Sequence, residues 1–174
     1  MAGAAGEEVV KPRVIFDCMI FLQAVVNESG PAAACLNKAD GGPVELCLSP
    51  ETRAEVHDVV NRRGVRKQFR ALTDERVTNF LARLDLVATL ISDVPAAFML
   101  KRDPKDSKYI NLAIAANAEL VVSRDNDLLD LMTSDDAEPV AFRSAYPTIR
   151  ILDPVAFLRT LPPAPSTDSS DEAH

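Results

Sequence analysis

Aspartates stand on both sides of one apolar segment, at positions where their carboxylates could act together. Asp103 and Asp106 precede "SKYINLAIAANAELVVS", and Asp125, Asp127 and Asp130 follow it. An apolar segment that needed only solvated ends could use lysine or serine there. The flanking carboxylates are therefore candidates for chemistry. Asp106 and Asp125 are the pair expected to share a site, because a helix and a strand are predicted to run antiparallel between them.

Two further acids are expected to lie near that pair. Asp17 directly follows the short β-rich run "RVIF", and Glu55 lies about one turn into the helix predicted after the second strand. In a parallel α/β sheet the site lies at the carboxyl ends of the strands. Asp17, Glu55, Asp106 and Asp125 are therefore expected to converge on one cleft from four separate segments.

Each of these acids also has an ordinary explanation. A carboxylate after a strand or in the first turn of a helix commonly caps backbone N–H groups, and the helix dipole favours it there. That explanation stays open for any one of the four taken alone. The remaining acids of this region are expected to be mostly solvated or capping, namely Asp127, Asp130, Asp135 and Asp136.

A cluster of carboxylates indicates a divalent cation. Carboxylates a few ångströms apart repel and raise each other's pKa, so such a cluster is stable mainly when a cation neutralises it. All-oxygen ligation favours Mg²⁺ or Mn²⁺, and two histidines with no CxxC pair argue against zinc. A cation of this kind polarises a phosphoryl oxygen and lowers the pKa of a bound water. The pattern therefore indicates phosphodiester hydrolysis.

Short apolar strands alternate with helices along the chain and would position these acids. Strands are predicted at 13–16, 44–49, 119–123 and 149–152. Helices are predicted at about 31–40, 50–63, 65–70, 72–91, 104–118, 125–132 and 153–161, with an irregular stretch at 133–147. Ser49 and Thr73 are expected to cap the second and fourth of these helices. The alternation predicts an α/β fold, a three-layer α/β/α sandwich with a short parallel central sheet.

The composition is that of an ordinary globular domain. The 174 residues are 47% hydrophobic and 26% charged, with a formal net charge of −7. This charge argues against a protein that coats nucleic acid through its overall field, although it allows a nuclease whose acids surround a metal. Three cysteines without a CxxC pair, no secretory signal and no membrane-length apolar run predict a reduced, cytoplasmic protein.

The domain organisation is predicted from changes in composition along the chain. Residues 1–12 are expected to form a flexible leader, and residues 13–161 to form the catalytic domain. Residues 162–174, "PPAPSTDSSDEAH", are rich in proline, serine and acid, and they are expected to form a disordered acidic tail.

The acid-bearing segments resemble those of the PIN-domain ribonucleases, of the kind that serve as toxins in VapBC-type toxin–antitoxin pairs. The resemblance covers roughly residues 13–161. "VIFDCMIFLQAV" matches the opening element with Asp17, and "LSPETRAEV" matches the second with Glu55. "RDPKDSKYINLAIAANAELVVSRDNDLLDL" matches the most distinctive block, with Asp106 and Asp125, and "IRILDPVAFL" the closing one. The third block is quite specific, whereas the others would be weak alone.

The resemblance implies an Mg²⁺- or Mn²⁺-dependent endonuclease that cleaves RNA. The residues implied to hold the metal are Asp17, Glu55, Asp106 and Asp125. Asp127 is implied as a supporting ligand. Ser123 could hydrogen-bond a ligand or a carboxylate, although a capping hydroxyl at the end of a strand is the simpler interpretation. Arg124 is either a phosphate contact or a surface arginine.

One position departs from the family pattern. The family usually has an asparagine two residues after the first acid, and this chain has Met19 there. The missing amide could loosen the hydrogen bonds that hold Asp17 or a phosphate. This departure motivates the alternative function, a catalytically weak or inactive PIN-like module that binds RNA or regulates.

The segment "NRRGVRKQFR" is the one local concentration of positive charge in an acidic chain. Its functional interpretation is a clamp on the RNA backbone, in which Arg62, Arg63 and Arg66 contact phosphates. Its ordinary interpretation is a solvated helical hairpin that balances nearby acids. Replacing these three arginines with glutamate separates the two, since unchanged RNA affinity would exclude the clamp.

The resemblance also bears on partners and on other function classes. It implies an RNA substrate, a possible cognate antitoxin protein and a homodimer. A phospho-acceptor receiver domain is disfavoured, because "RVIFDC" offers one acid where that fold needs a pair and "RILDP" lacks its lysine. A dinucleotide-binding domain is disfavoured because the chain has no GxGxxG.

Overall fold

The computed structural model describes residues 10–162, and a sheet of five parallel strands forms its centre. The strands are β1 Arg13–Phe16, β2 Glu45–Leu48, β3 Thr89–Leu90, β4 Leu120–Val122 and β5 Arg150–Leu152. Their spatial order is β3-β2-β1-β4-β5, and every pairing is parallel. The chain thus places β2 and then β3 on one side of β1, and β4 and then β5 on its other side.

Helices connect the strands and cover both faces of the sheet. They are α1 Cys18–Val26, α2 Pro31–Ala39, α3 Pro50–Asn61, α4 Arg63–Gln68, α5 Asp74–Val87, α6 Ser107–Ala116, α7 Asn126–Thr133, α8 Ala137–Ala145 and α9 Pro154–Thr160. A short 3₁₀ turn, Pro104–Asp106, leads into α6. The caps predicted for α3 and α5 are confirmed, since Ser49 accepts a hydrogen bond from the Thr52 N–H and Thr73 accepts one from the Arg76 N–H.

The core lies in two layers, one on each face of the sheet. Val14 and Phe16 of β1 point into one layer, which α1, α2, α3, α5 and α9 cover. Ile15, between them in sequence, points into the other layer with α6, α7 and α8. Alternate residues of a strand face opposite sides, so a strand buried on both faces is apolar throughout. The predicted three-layer α/β/α sandwich with a parallel sheet is confirmed.

Two predicted elements are corrected by the structure. The stretch 133–147 is not irregular, because it contains α8, whose Phe142 is buried and packs near Phe98 and Tyr146. The prolines of this stretch hid the helix from sequence analysis, since Pro139 lies in the first turn, where proline is tolerated. The helix predicted to extend to residue 91 ends at Val87, and β3 follows it as a two-residue edge strand.

A tight turn joins α6 to β4 and sets their antiparallel course. Asn117 has a φ of 50°, in the left-handed region that asparagine tolerates better than most residues. The next N–H, that of Ala118, donates to the Ala113 carbonyl and closes the helix. The N-terminus of α6 and the C-terminus of β4 therefore lie at the same edge of the sheet.

The remaining sequence expectations concern the ends of the chain and membranes. Most of the predicted leader and tail, residues 1–9 and 163–174, lies outside the described residues. Among residues 10–162, no single helix is long and apolar enough to span a membrane; α1 and α2 reach that length and composition only jointly, across a 106° bend.

Candidate active site

The site lies where the strand order of the sheet reverses, between β1 and β4. Phe16 is paired in register with Val122, so the next residues, Asp17 and Ser123, leave the sheet side by side at its carboxyl edge. The helices of neighbouring crossovers diverge at such a switch point and open a crevice above the strand ends. Two of the residues singled out from the sequence therefore meet because of topology.

Asp17 is the most buried acid of the site, with 5% of its surface exposed. Its Oδ1 accepts hydrogen bonds from the backbone N–H groups of Met19 (2.9 Å) and Ile20 (3.1 Å), and its Oδ2 accepts one from the Ser123 hydroxyl. Burial raises the pKa of Asp17, and these three hydrogen bonds oppose that rise by stabilising the carboxylate. The carboxylate is therefore fixed in one orientation.

Ser123 links Asp17 to the segment that carries Asp125. Its side chain is fully buried, it donates to Asp17, and its Oγ accepts from the Asp125 N–H at 2.9 Å. It therefore acts both as a capping hydroxyl, as its simpler interpretation predicts, and as a donor to a carboxylate. This one hydroxyl positions two acids.

Asp106 and Asp125 face each other across the crevice. Asp125 caps α7 by accepting from the Asp127 N–H at 2.9 Å, and its carboxyl group is adjacent to that of Asp106. Burial, the adjacent Asp125 carboxyl group and the charges of Asp103 and Asp17 raise the pKa of Asp106 to about 8. Two carboxyl groups this close hold either a proton or a cation between them.

Glu55 reaches the same crevice from α3 and is held by two residues of α6. Its Oε1 accepts a hydrogen bond from the Tyr109 hydroxyl, and its Oε2 pairs with the Lys108 ammonium. The Tyr109 oxygen in turn accepts from the Cys18 N–H at 3.2 Å. Both Glu55 and Lys108 are largely shielded from solvent, so this ion pair is more strongly coupled than one on the surface.

These four acids line one cavity of about 300 Å³, which we call the carboxylate pocket. The residues that line it are Asp17, Cys18, Met19, Gln23, Glu55, Asp106, Tyr109, Arg124 and Asp125. The structure thus brings together the four carboxylates that the sequence singled out. Their chemistry fits a hard divalent cation, because carboxylate oxygens predominate and, among residues 10–162, no lysine or arginine forms an ion pair with Asp106 or Asp125.

Asp127 lies beside this pocket in a second acidic group. Ligand oxygens of Asp103, Asp125 and Asp127 lie within 4.8 Å of one another. Asp127 also pairs with Arg102 at 2.9 Å, and Arg102 binds Asp130 at 2.8 Å. The 3₁₀ turn that begins after Asp103 places this residue next to Asp125.

Met19 does not weaken the hold on Asp17. The group at position 19 that bonds Asp17 is the backbone N–H, which any residue except proline supplies. The Met19 side chain points outward and is 47% exposed. The orientation of Asp17 is therefore independent of the missing asparagine amide.

The three arginines of the basic segment have different surroundings. Arg66 is tied into the protein, because its guanidinium donates to the carbonyls of Val60 and Leu72 and to the side chains of Asp74 and Asn61. Arg62 forms an exposed pair with Asp58 on the same helix face. Arg63 is exposed. Of the three, Arg66 has the environment of a structural residue.

Sequence reasoning missed two residues of the site, Lys108 and Tyr109. Both follow Asp106 in the first turn of α6, and that proximity was the only available signal. Their partner, Glu55, is remote in sequence, so no local pattern indicates the contact.

Known proteins resemble this chain over most of its length. A family model described as PIN domain matches residues 13–127. An uncharacterized protein of Methanocaldococcus jannaschii is 25% identical over 124 residues, which are 71% of this chain and 77% of the relative. Among solved structures, VapBC2 from Rickettsia felis, bound to a DNA fragment from their promoter, is similar with a TM-score of 0.48 and 13% identity, over 81% of this chain and 98% of that chain. The segment matched by the family model contains all four acids of the carboxylate pocket.

Proposed function

The chain belongs to the PIN-domain family, a family of nucleases, and on that premise we propose that it is a divalent-metal-dependent endoribonuclease. It would hydrolyse RNA phosphodiester bonds in the carboxylate pocket. The observation that carries the proposal is the convergence of four carboxylates, those of Asp17, Glu55, Asp106 and Asp125, on one cavity at the switch point of the sheet.

We assign the metal to Asp17, Asp106 and Asp125. Glu55 lies across the pocket, and Asp127 is a supporting ligand. When bound, Mg²⁺ or Mn²⁺ would polarise the phosphoryl oxygen, lower the pKa of water and steady the leaving oxygen. Substrate phosphates complete the shell of such ions, which allows an acidic protein to bind RNA.

The other residues of the pocket position these carboxylates and the substrate. Ser123 orients Asp17 through its hydroxyl, and Tyr109 and Lys108 orient Glu55. Arg124 lines the pocket with its exposed guanidinium, which suits a contact with a phosphate oxygen. Arg62 and Arg63 remain candidates for contacts along the RNA backbone, whereas the internal hydrogen bonds of Arg66 favour a structural role.

The test is cleavage of a mixed RNA substrate by the purified protein with Mg²⁺ or Mn²⁺. We expect cleavage that EDTA abolishes and that Asp106→Asn reduces by at least about a hundredfold, since it removes a charged ligand. Asp135→Asn is the matched control, because Asp135 is exposed and lies outside the pocket. Full cleavage by Asp106→Asn would refute the assignment, and no cleavage by the wild-type protein would favour an inactive module.

We further propose that this nuclease is the toxin of a toxin–antitoxin pair, with a cognate antitoxin as partner. The support is the resemblance of the block from Arg102 to Leu131 to toxins of that kind. Induced expression in a bacterial host should arrest growth, and Asp106→Asn should relieve the arrest at equal protein level. Growth arrest by both proteins would contradict this role, and sizing of the purified chain would test the expected homodimer.

A further inference from the structure

A second cavity adjoins the carboxylate pocket. It has a volume of about 650 Å³ and lies among α1, the start of α2, α3 and α4; we call it the apolar pocket. Its apolar lining consists of Met19, Leu22, Val26, Pro31, Ala32, Val59, Val65 and Phe69. This volume is within the range of pockets that hold small organic groups.

The two pockets share part of their lining. Met19, Gln23 and Arg124 line both of them, so the boundary between the pockets is formed by these three side chains. A polymer with one of its groups bound in the carboxylate pocket would place the adjoining group in the apolar pocket. For RNA, the neighbouring unit of a phosphate is a nucleoside.

The charges around the apolar pocket differ from those of the carboxylate pocket. Arg62 and Arg124 stand on its rim, and no described residue that lines it carries a carboxylate. The polar groups that remain are amides, on Gln23, Asn27 and Gln68. A cationic rim over an apolar floor suits a base whose flanking phosphates are negative.

Gln23 provides a polar group at the boundary. Its Oε1 is enclosed and has no hydrogen-bond partner among residues 10–162, and the residue lines both cavities. An amide in this position suits the donors and acceptors on a base edge. Amides and apolar or aromatic surfaces are the groups that read unstacked bases in single-stranded RNA.

We propose that the apolar pocket binds one unpaired nucleobase of the RNA next to the phosphate in the carboxylate pocket. The inference rests on the proposed ribonuclease function and adds to it a base subsite, which a base that is stacked and paired inside a duplex could not enter. Met19 and Phe69 provide the contact surface for the base, and Arg62 and Arg124 bind the adjoining phosphates. A basic segment of a partner protein fits less well, because no described residue that lines the pocket is acidic.

The experiment measures binding by fluorescence anisotropy in the Asp106→Asn background, where cleavage is not expected to consume the probe. The probes are a labelled ten-nucleotide single-stranded RNA, its duplex and an abasic ribose-phosphate oligomer of the same length. Met19→Ala and Phe69→Ala are the pocket variants. Val140→Ala is the matched control, because Val140 is 46% exposed, as Met19 nearly is, and lies on α8.

The base-containing single strand should bind at least about fivefold more tightly than the abasic oligomer, the low end of what a stacked base contributes. Met19→Ala, whose side chain is exposed and not needed for folding, should lose most of that preference without weakening abasic binding. Phe69→Ala should do the same, and Val140→Ala should not. Equal affinity for the two single-stranded probes, or an unchanged preference in Met19→Ala, would overturn the proposal.

Two outcomes separate this inference from the proposed function. Base-dependent binding by a wild-type protein that cleaves no RNA would leave the base pocket standing and refute the ribonuclease. Cleavage of RNA by a protein that binds base-containing and abasic strands equally would support the ribonuclease and refute the base pocket. Loss of self-association in Met19→Ala with unchanged RNA binding would assign the pocket to a protein contact and overturn the proposal.

Discussion

Asp106 and Asp125 lie at opposite ends of the α6–β4 unit, and both line the same cavity at the carboxyl edge of the sheet. The left-handed turn at Asn117 makes this possible by reversing the chain between helix and strand. At neutral pH the pair retains a proton, because burial and neighbouring acids raise the pKa of Asp106 to about 8. The first two predictions follow from this shared proton.

Stability of the metal-free protein should fall as the pH rises from 5 to 8. The folded-state pKa of Asp106 lies above its ordinary value, 3.8, so the folded protein binds a proton that the unfolded chain has lost. The stability from this group is complete below the ordinary pKa and is lost as the pH rises through the folded pKa.

Asp106→Asn should flatten this pH dependence and raise the Tm at pH 8 by a few degrees, since about 1 kcal/mol shifts the Tm of a chain this size by about 2–4 °C. The asparagine amide donates to Asp125 at every pH. Melting curves in EDTA at pH 5 and pH 8 measure this, with Asp135→Asn as the control. A parallel pH profile in Asp106→Asn would contradict it.

Added Mn²⁺ should stabilise the wild-type protein more at pH 8 than at pH 5. A ligand that binds only the folded state stabilises it by RT ln(1 + [L]/Kd), which is about 2.7 kcal/mol at a hundredfold excess over Kd. At low pH the same carboxylates hold protons and the affinity falls. Thermal shifts across a Mn²⁺ titration test this, and an equal shift in Asp106→Asn would show that the ion binds elsewhere.

Ser123→Ala should weaken metal binding without unfolding the protein. The change removes the donor to Asp17 and the acceptor for the Asp125 N–H, so each acid loses one of the hydrogen bonds that orient it. Loss of such a supporting group typically lowers metal affinity by about 10- to 100-fold. Calorimetry with Mn²⁺ measures it.

Ser134→Ala is the matched control for this substitution. The Ser134 hydroxyl accepts from the Asp136 N–H in the same local arrangement, yet it lies away from the carboxylate pocket. Equal losses of Mn²⁺ affinity in the two variants would show that the effect of Ser123→Ala does not come from the contact of Ser123 with Asp17.

Lys108→Met should increase the affinity for Mn²⁺. The Lys108 ammonium pairs with Glu55 and places a positive charge where a cation is proposed to bind. Removing a unit charge near the site is worth about 1 kcal/mol even at the dielectric constant of water, or roughly fivefold in Kd, and more where the charges are shielded from solvent. Lys105→Met is the control, because Lys105 is exposed on the preceding turn. An unchanged or weaker affinity in Lys108→Met would indicate that the ammonium does not compete with the metal.

Arg66→Gln should destabilise the fold by about 1–3 kcal/mol, since it leaves several carbonyl and side-chain acceptors without their donor. Arg63→Gln should change the stability by less than about 0.5 kcal/mol, as is usual for an exposed position. Urea denaturation of both variants tests the contrast. If Arg63→Gln were as destabilising as Arg66→Gln, the structural role would not be specific to Arg66.

The elements that the sequence predicted well are those that local physics determines. Ser49 and Thr73 cap helices because a hydroxyl reaches its own helix terminus, and continuous apolar runs identify strands buried on both faces. The helix around Phe142 was missed because it contains Pro139 and because Phe98, against which Phe142 packs, is near it only in the fold. The edge strand Thr89–Leu90 was missed because pairing with β2 defines it, and two residues carry no periodicity.

The sequence by itself determined which acids were candidates, since residue type and position after a strand or at a helix start are local properties. Only the tertiary structure decided what surrounds each of them. It brought Lys108 and Tyr109 into contact with Glu55 and Asp103 next to Asp125. It also gave the Arg66 guanidinium internal hydrogen-bond partners. These contacts join segments remote in sequence, and their geometry depends on how helices of different crossovers pack over the sheet, which no local pattern encodes.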